Sequence, residues 1–212
     1  MIRKTIVILL FIVLAGFESY LLYERYCLNK EIQFKDIILK KITIEHSVMK
    51  MQYAIGLENN GLNLDGNTEI WDALGNETTL GAYIKNVNKK NILVCRYSEM
   101  YCRQCVEHAI GNILKSWDNI DSLNVIFVGD NTSQRVANMQ RKEFGISKFN
   151  CINSNSLGIP AEKLQFPYYL AIDKELKING IYMPDKSTAH MSLDSVNLAL
   201  MYKQLICDVC TQ

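Results

Sequence analysis

Cys102-Arg103-Gln104-Cys105 is the segment of this chain whose residue types and spacing carry the clearest chemistry. The residues that follow repeat apolar side chains at helical spacing (Val106, Ala109, Ile110, Ile113, Leu114), so the cysteine pair opens a helix. At a helix N-terminus the unpaired backbone N–H groups and the macrodipole favour a thiolate. A C-x-x-C spacing lets the second sulfur close a small disulfide on the first. Cys102 is thereby the expected exposed nucleophile and Cys105 the resolving thiol, with Arg103 adding positive charge that favours the thiolate.

The elements around the pair follow from pattern. Asn91 to Tyr97 is a short apolar run that reads as a buried strand leading to the cysteines. Leu123 to Val128 reads as a second strand and Thr132 to Phe144 as a helix. Phe166 to Ile178 reads as strand, turn, strand, opened by Pro167, which cannot donate to a ladder and marks a strand start or a cis bond facing a site. Ser192 to Ile206 reads as a terminal helix. The expected class is α/β, a central mixed sheet flanked by helices.

This order, with its C-x-x-C helix and its X-Pro strand 62 residues beyond Cys105, resembles the thioredoxin superfamily, in particular its membrane-anchored thiol-disulfide interchange and redoxin-like members. The resemblance covers roughly Asn63 to Ile206. It implies a thioredoxin-like fold in which Cys102 attacks a substrate disulfide and Cys105 resolves the mixed disulfide. It also implies that Pro167 is a cis-proline abutting the pair and, with Phe166 and Tyr101, shapes substrate docking. Gly75 to Leu80, with Leu64-Asp65-Gly66, resembles the hairpin that precedes the first strand in redoxin-like members. Departures from the pattern are Tyr101 where Trp is usual and Arg96 where thioredoxin carries a buried acid six positions before the nucleophile. Glu99 and His108 are the candidates to stand in for that acid. The Arg-Gln dipeptide is not the thioredoxin one, so the redox potential and the direction of reaction stay unread, potentials in the family spanning about −270 to −120 mV.

The amino terminus carries Arg3 and Lys4, then thirteen uncharged residues from Thr5 to Phe17. Thr5 to Tyr23 is about 28 Å long as a helix, enough to cross a bilayer. Residues 1–24 are therefore expected to be a single-pass membrane anchor or, alternatively, a signal peptide. The basic end predicts a cytoplasmic N-terminus, with the remainder on the periplasmic or extracytoplasmic side. Residues 25–60 read as an amphipathic helical stalk, with Phe34, Ile37, Lys41, Ile44, Val48, Met51 and Ile55 on one stripe, open to two readings: weak self-association as a homodimer, or a helix packed on its own domain. Asn59-Asn60-Gly61 ends the stalk by turn chemistry. Residues 61–212 are the expected thioredoxin-like domain with a C-terminal C-x-x-C tail.

Seven cysteines over 212 residues are too few for a disulfide scaffold, and the odd count leaves at least one outside any internal pair. Cys207 and Cys210 form a second C-x-x-C, open to three readings: a redox relay for Cys102 and Cys105, a four-thiolate metal site with them, or an inert tail. Cys95 reads as a core residue, Cys151 as following a short strand 147–150, and Cys27 as a candidate for an intermolecular disulfide. Lys+Arg 23 against Asp+Glu 22 gives a net charge of +1, which offers no field for nucleic acid. No phosphate loop or metalloprotease motif is present, and no cofactor or resident metal is expected.

The leading expectation is a membrane-tethered, outward-facing thiol-disulfide oxidoreductase whose partners are protein thiols or disulfides and an upstream membrane redox partner. Two rivals are a copper metallochaperone of thioredoxin-like fold using Cys102, Cys105 and His190, soft thiolates being suited to Cu(I), and a redox-inactive interaction domain.

Overall fold

The computed structural model describes residues 2–87, 91–115 and 125–184, without the side chains at 2–5, 7 and 8. The expected terminal helix 192–206, His190, Cys207 and Cys210 lie outside the described residues. By contacts the chain divides into two units, Met1–Val48 and Met49–Gln212.

Helix α1 spans Ile2–Asn59. In the first unit it is supported by i,i+4 ion pairs, Lys35 with Glu31 and Lys40 with Asp36, both at 2.7 Å. Its large apolar side chains from Leu9 to Tyr23 are exposed. Among the described residues no helix is long and apolar enough to cross a membrane. α1 is long, but Glu18 and Glu24 break its apolar character, and part of the apolar run at 5, 7 and 8 falls outside the described side chains.

The last turns of α1 belong to the second unit. There the buried line runs through Gln52, Ile55 and Asn59, while Met51, expected on the buried stripe, is exposed. Polar anchoring accounts for the shift of face. The Gln52 side chain accepts the Met183 N–H at 3.0 Å and donates to the Met183 carbonyl. Asn59 Oδ1 accepts the Ala161 N–H at 3.2 Å, and its Nδ2 donates to the Ile55 carbonyl at 2.8 Å. Gly61, at φ 83°, takes the left-handed conformation that ends the helix without a Cβ penalty.

The second unit is built on one seven-stranded mixed sheet in the order β2-β1-β5-β4-β3-β6-β7. Its strands are β1 (Glu69–Asp72), β2 (Glu77–Thr79), β3 (Asn91–Arg96), β4 (Val125–Gly129), β5 (Asn150–Asn153), β6 (Tyr168–Asp173) and β7 (Ile178–Tyr182). β1 and β2 form an antiparallel hairpin in which Glu69–Trp71 pairs with Glu77–Thr79, so the first arm lies at 69–72 rather than at Leu64-Asp65-Gly66. β3 pairs in parallel with β4 and antiparallel with β6, β4 pairs in parallel with β5, and β6 with β7 antiparallel. Cys151 lies within β5 and not after a strand at 147–150. A turn in which the Phe149 N–H bonds the Ile146 carbonyl at 3.0 Å occupies the preceding residues.

Helices α2 (Leu80–Asn86), α3 (Arg103–Lys115) and α4 (Gln134–Glu143) and a 3₁₀ helix (Pro160–Leu164) complete the unit. β3 and β4 read as unbroken apolar runs because a sheet covered on both faces buries every side chain. One face of the sheet carries Ile92, Val94, Ile126 and Leu170, packed with Ile55 and Ile84. The other carries Leu93, Cys95, Phe127 and Tyr169 against Val106, Ala109, Ile110 and Ile113 of α3. Each such aliphatic side chain contributes about 1.5–3 kcal/mol by burial. The Tyr169 hydroxyl donates to the Ala109 carbonyl at 2.7 Å and fixes α3 against β6.

Pro167 is buried directly before β6, but no peptide bond among the described residues is cis. The cis-proline expectation is therefore corrected. Gln165, at φ 55°, already turns the chain toward the strand, and the trans form of an X-Pro bond is favoured by about 0.5–1 kcal/mol.

Candidate functional site

Cys102 sits at the C-terminal edge of the sheet, immediately before α3. Its carbonyl accepts the N–H of Cys105 at 2.9 Å and of Val106 at 3.0 Å, which makes it the residue that opens the helix. Cys102 is exposed and Cys105, one turn on, is half-buried. An exposed thiol at the start of a helix with a second, half-buried thiol one turn on can serve as an attacking and a resolving thiol.

The approach to Cys102 is a tied loop. The Tyr97 N–H bonds the Val128 carbonyl at 3.0 Å, the Tyr101 N–H bonds the Ser98 carbonyl at 3.2 Å, and Ser98 Oγ accepts the Met100 N–H at 3.0 Å. Asp130, just after β4, accepts the Glu99 N–H at 3.2 Å. The loop is thereby fastened to β4 on one side and to itself on the other. Met100 is 84% exposed and Phe166 is 46% exposed, so both present apolar surface.

Arg103 does not stand as an uncompensated cation. It pairs with Glu107 at 2.9 Å and, across to α4, with Glu143, so the three side chains together carry one net negative charge. His108 is half-buried, and its Nε2 lies 3.1 Å from Asn112 Nδ2.

Arg96, six positions before Cys102 at the end of β3, is 2% exposed. A buried guanidinium needs compensation, and here several segments supply partners to its two terminal nitrogens, while Nε has none among the described residues. Nη1 donates to the Gly129 carbonyl at 2.9 Å and the Ser154 carbonyl at 2.8 Å, and Nη2 to the Asn155 carbonyl at 3.1 Å. Glu162 Oε1, on the 3₁₀ helix, lies 3.2 Å from Nη2. Glu162 in turn accepts the N–H of Leu157 at 2.9 Å and of Gly158 at 3.2 Å, and the Ser156 hydroxyl. The carboxylate that meets Arg96 is thus Glu162. Burial pushes the Tyr101 phenol above its usual range, Arg96 opposing and Glu162 and Asp130 adding to the shift. A charged residue at the end of an otherwise apolar strand was the signal in the sequence. It demanded a partner, but no spacing pointed to residue 162.

Cys95 and Cys151 are buried on the α3 face of the sheet. Burial pushes the Cys151 thiol up to about 11, Arg141 opposing, and pushes Cys95 up further, with Cys151 adding. Both are poor nucleophiles near neutrality. Cys27, on α1, is exposed.

No protein-family model matches this chain, and no curated protein matches it. Solved structures do. A candidate electron-transfer protein from Aquifex aeolicus VF5 is 14% identical with a TM-score of 0.50, covering 68% of this chain and 92% of that one. The thioredoxin domain of a thiol-disulfide oxidoreductase from Bacteroides vulgatus is 14% identical at a TM-score of 0.46, covering 68% of this chain and 96% of its own. Peroxiredoxin Q from Xanthomonas campestris is 14% identical at 0.45, covering 68% and 97%. The likeness to the Aquifex aeolicus structure is one of fold, and the mixed sheet flanked by helices, with the C-x-x-C helix following β3, fits the thioredoxin-like α/β class that the motifs resemble.

Proposed function

We propose that this chain is a membrane-tethered, outward-facing thiol-disulfide oxidoreductase. The observation that carries the redox reading is the placement of Cys102, exposed and opening α3, with Cys105 half-buried one turn behind it. In the reducing direction the Cys102 thiolate attacks one sulfur of a substrate disulfide. A Cys102–substrate disulfide forms, and the departing substrate thiolate takes a proton from solvent. Cys105, deprotonated, then attacks Cys102 Sγ, and the second substrate thiolate leaves. The substrate has gained two electrons, and the protein holds them no longer, as a Cys102–Cys105 disulfide. A membrane redox partner of dithiol or disulfide chemistry resets the pair, and run backwards the same steps oxidise a substrate dithiol. Pro167, Phe166 and Tyr101 are the substrate-docking residues in this reading.

The tether rests on Arg3, Lys4 and the uncharged run from Thr5 to Phe17, and is supported by the exposed apolar side chains from Leu9 to Tyr23, which call for an apolar medium. The experiment is turnover of a disulfide substrate by the full chain against its Cys102→Ser variant. Turnover that vanishes in the variant supports the reading. Turnover that persists, or a metal that co-purifies in stoichiometric amount through the cysteines, overturns it. Partition of the full chain into the membrane fraction, at the intact mass that includes residues 1–24, tests the tether.

A further inference from the structure

Past residue 24, outside the proposed anchor, α1 keeps an apolar stripe that the chain leaves uncovered: Phe34, Ile37 and Ile44 are each more than half exposed. Contiguous exposed apolar surface marks an interaction site. The stripe also extends further toward the amino end than the stalk. Phe34 and Lys41 stand seven residues apart, and the same step taken backwards meets Cys27, Tyr20 and Val13. Ile37 and Ile44 form a second series, which leads back through Lys30 to Tyr23, Gly16 and Leu9. Two interleaved series with a repeat of seven are the a and d positions of a two-stranded coiled coil. Most charges keep off them. Glu31, Lys35, Asp36 and Lys40, which form ion pairs on this segment, stand at other positions, and the Lys30 ammonium is drawn over the Tyr26 ring at 4.7 Å. Lys41 remains in the seam, and a single lysine at an a position specifies register at a cost in stability.

We propose that α1 pairs with α1 of a second copy of this chain as a parallel, in-register coiled coil whose two Cys27 thiols close an intermolecular disulfide. Area favours a second copy as the occupant. An aromatic side chain buries about 150–250 Å², so Tyr20, Tyr23 and Phe34 from two copies supply much of the roughly 1,200–2,000 Å² that a stable interface needs. Geometry favours it as well. Helix axes about 8–10 Å apart, with Cα atoms about 2.3 Å from each axis, bring facing a-position Cα atoms to about 5 Å, within the roughly 4.4–6.8 Å that a disulfide spans. Copies that run the same way set a against a, and Cys27, which is exposed, then meets its own counterpart. That direction rests on the proposed tether, since two chains inserted alike run parallel. The stripe itself depends neither on the tether nor on the thiol exchange at Cys102.

The oxidant is a small disulfide such as glutathione disulfide. One Cys27 thiolate attacks a glutathione sulfur, a mixed disulfide forms and one glutathione thiolate leaves. Cys27 of the second copy then attacks that Cys27 sulfur, and the second glutathione thiolate leaves. Two electrons pass from the protein thiols to glutathione, and the departing thiolates take up the two protons that the cysteines released.

The test is the rate at which the full chain in detergent micelles forms a covalent dimer with glutathione disulfide, read by non-reducing electrophoresis. A Cys102→Ser, Cys105→Ser background removes the exchange couple from the readout. A dimer is expected, and Cys27→Ser is expected to abolish it. With Cys27→Ser, a thiol placed one heptad along the seam by Phe34→Cys is expected to restore the dimer, and one placed off the seam by Ile32→Cys to form it about tenfold more slowly. With Cys27 in place, Ile37→Asp is expected to slow the crosslink about tenfold, and Leu39→Asp, as exposed but off the seam, to leave it unchanged. Equal rates through positions 32 and 34, equal effects of the two Asp variants, or a dimer that persists in Cys27→Ser alone overturn the proposal. Membrane partition keeps the two readings apart. A chain that crosslinks through Cys27 but stays out of membranes loses the tether and keeps the seam, and one that partitions but crosslinks alike through 32 and 34 keeps the tether and loses the seam.

Discussion

Asn59 Oδ1 accepts the Ala161 N–H at 3.2 Å, across 102 residues of sequence, and so joins the end of α1 to the 3₁₀ helix that carries Glu162. Asn59 is fully buried, and its amide is engaged on both sides. Replacing it with Ala orphans a buried backbone donor, a defect of about 1–3 kcal/mol. Asn59→Ala is therefore expected to lower the unfolding free energy of the α/β unit by that amount, seen in urea titration as a lower midpoint at unchanged slope.

Cys105→Ser removes the resolving thiol but keeps the nucleophile. With a disulfide substrate the variant is expected to stop at a Cys102–substrate adduct. Non-reducing electrophoresis or intact mass would show a species that disappears on adding dithiothreitol. Absence of the adduct, with Cys102 intact, argues against the assigned order of attack.

Cys151 supplies a pH dependence. Its thiol titrates at about 11 in the folded chain against 9.0 for an ordinary thiol, because burial disfavours the thiolate. Stability from this group is full below pH 9 and is lost as pH rises toward 11, since the unfolded chain loses the proton first. The difference is worth about 2–3 kcal/mol. Cys151→Ala is expected to flatten the fall of Tm between pH 9 and 11, which thermal scans on both proteins would measure.

Gly129 closes β4 where three side chains converge. A Cβ there would stand 2.6 Å from Asn131 Nδ2, 2.7 Å from Asn153 Oδ1 and 3.1 Å from the Tyr97 hydroxyl. Gly129→Ala would force apart the Asn131–Asn153 hydrogen bond, now 2.7 Å long. A loss of about 1–3 kcal/mol is expected by chemical denaturation.

The helix bearing Cys102 and Cys105 was legible because apolar spacing and a C-x-x-C motif coincide within a dozen residues. β3, β4 and β6 were legible because strands covered on both faces are apolar throughout. What the sequence hid was long-range pairing. Nothing near Arg96 points to residue 162, and the Gln52 contact with Met183 spans 131 residues. On the docked end of α1 the stripe held at Ile55 but not at Met51, Gln52 and Asn59 docking instead, because polar residues escape a hydrophobic pattern. The ion pair of Arg103 with Glu143 is likewise made across 40 residues of sequence.

The stitching of α1 through Gln52, Ile55 and Asn59 decides where this chain tolerates a cut. A fragment begun at residue 61, the boundary that composition suggests, would leave the Met183 backbone and the Ala161 N–H without their side-chain partners and strip Ile55 from the core. One begun near Met49 keeps all three, so limited proteolysis should spare the last eleven residues of the helix even where it trims those before them.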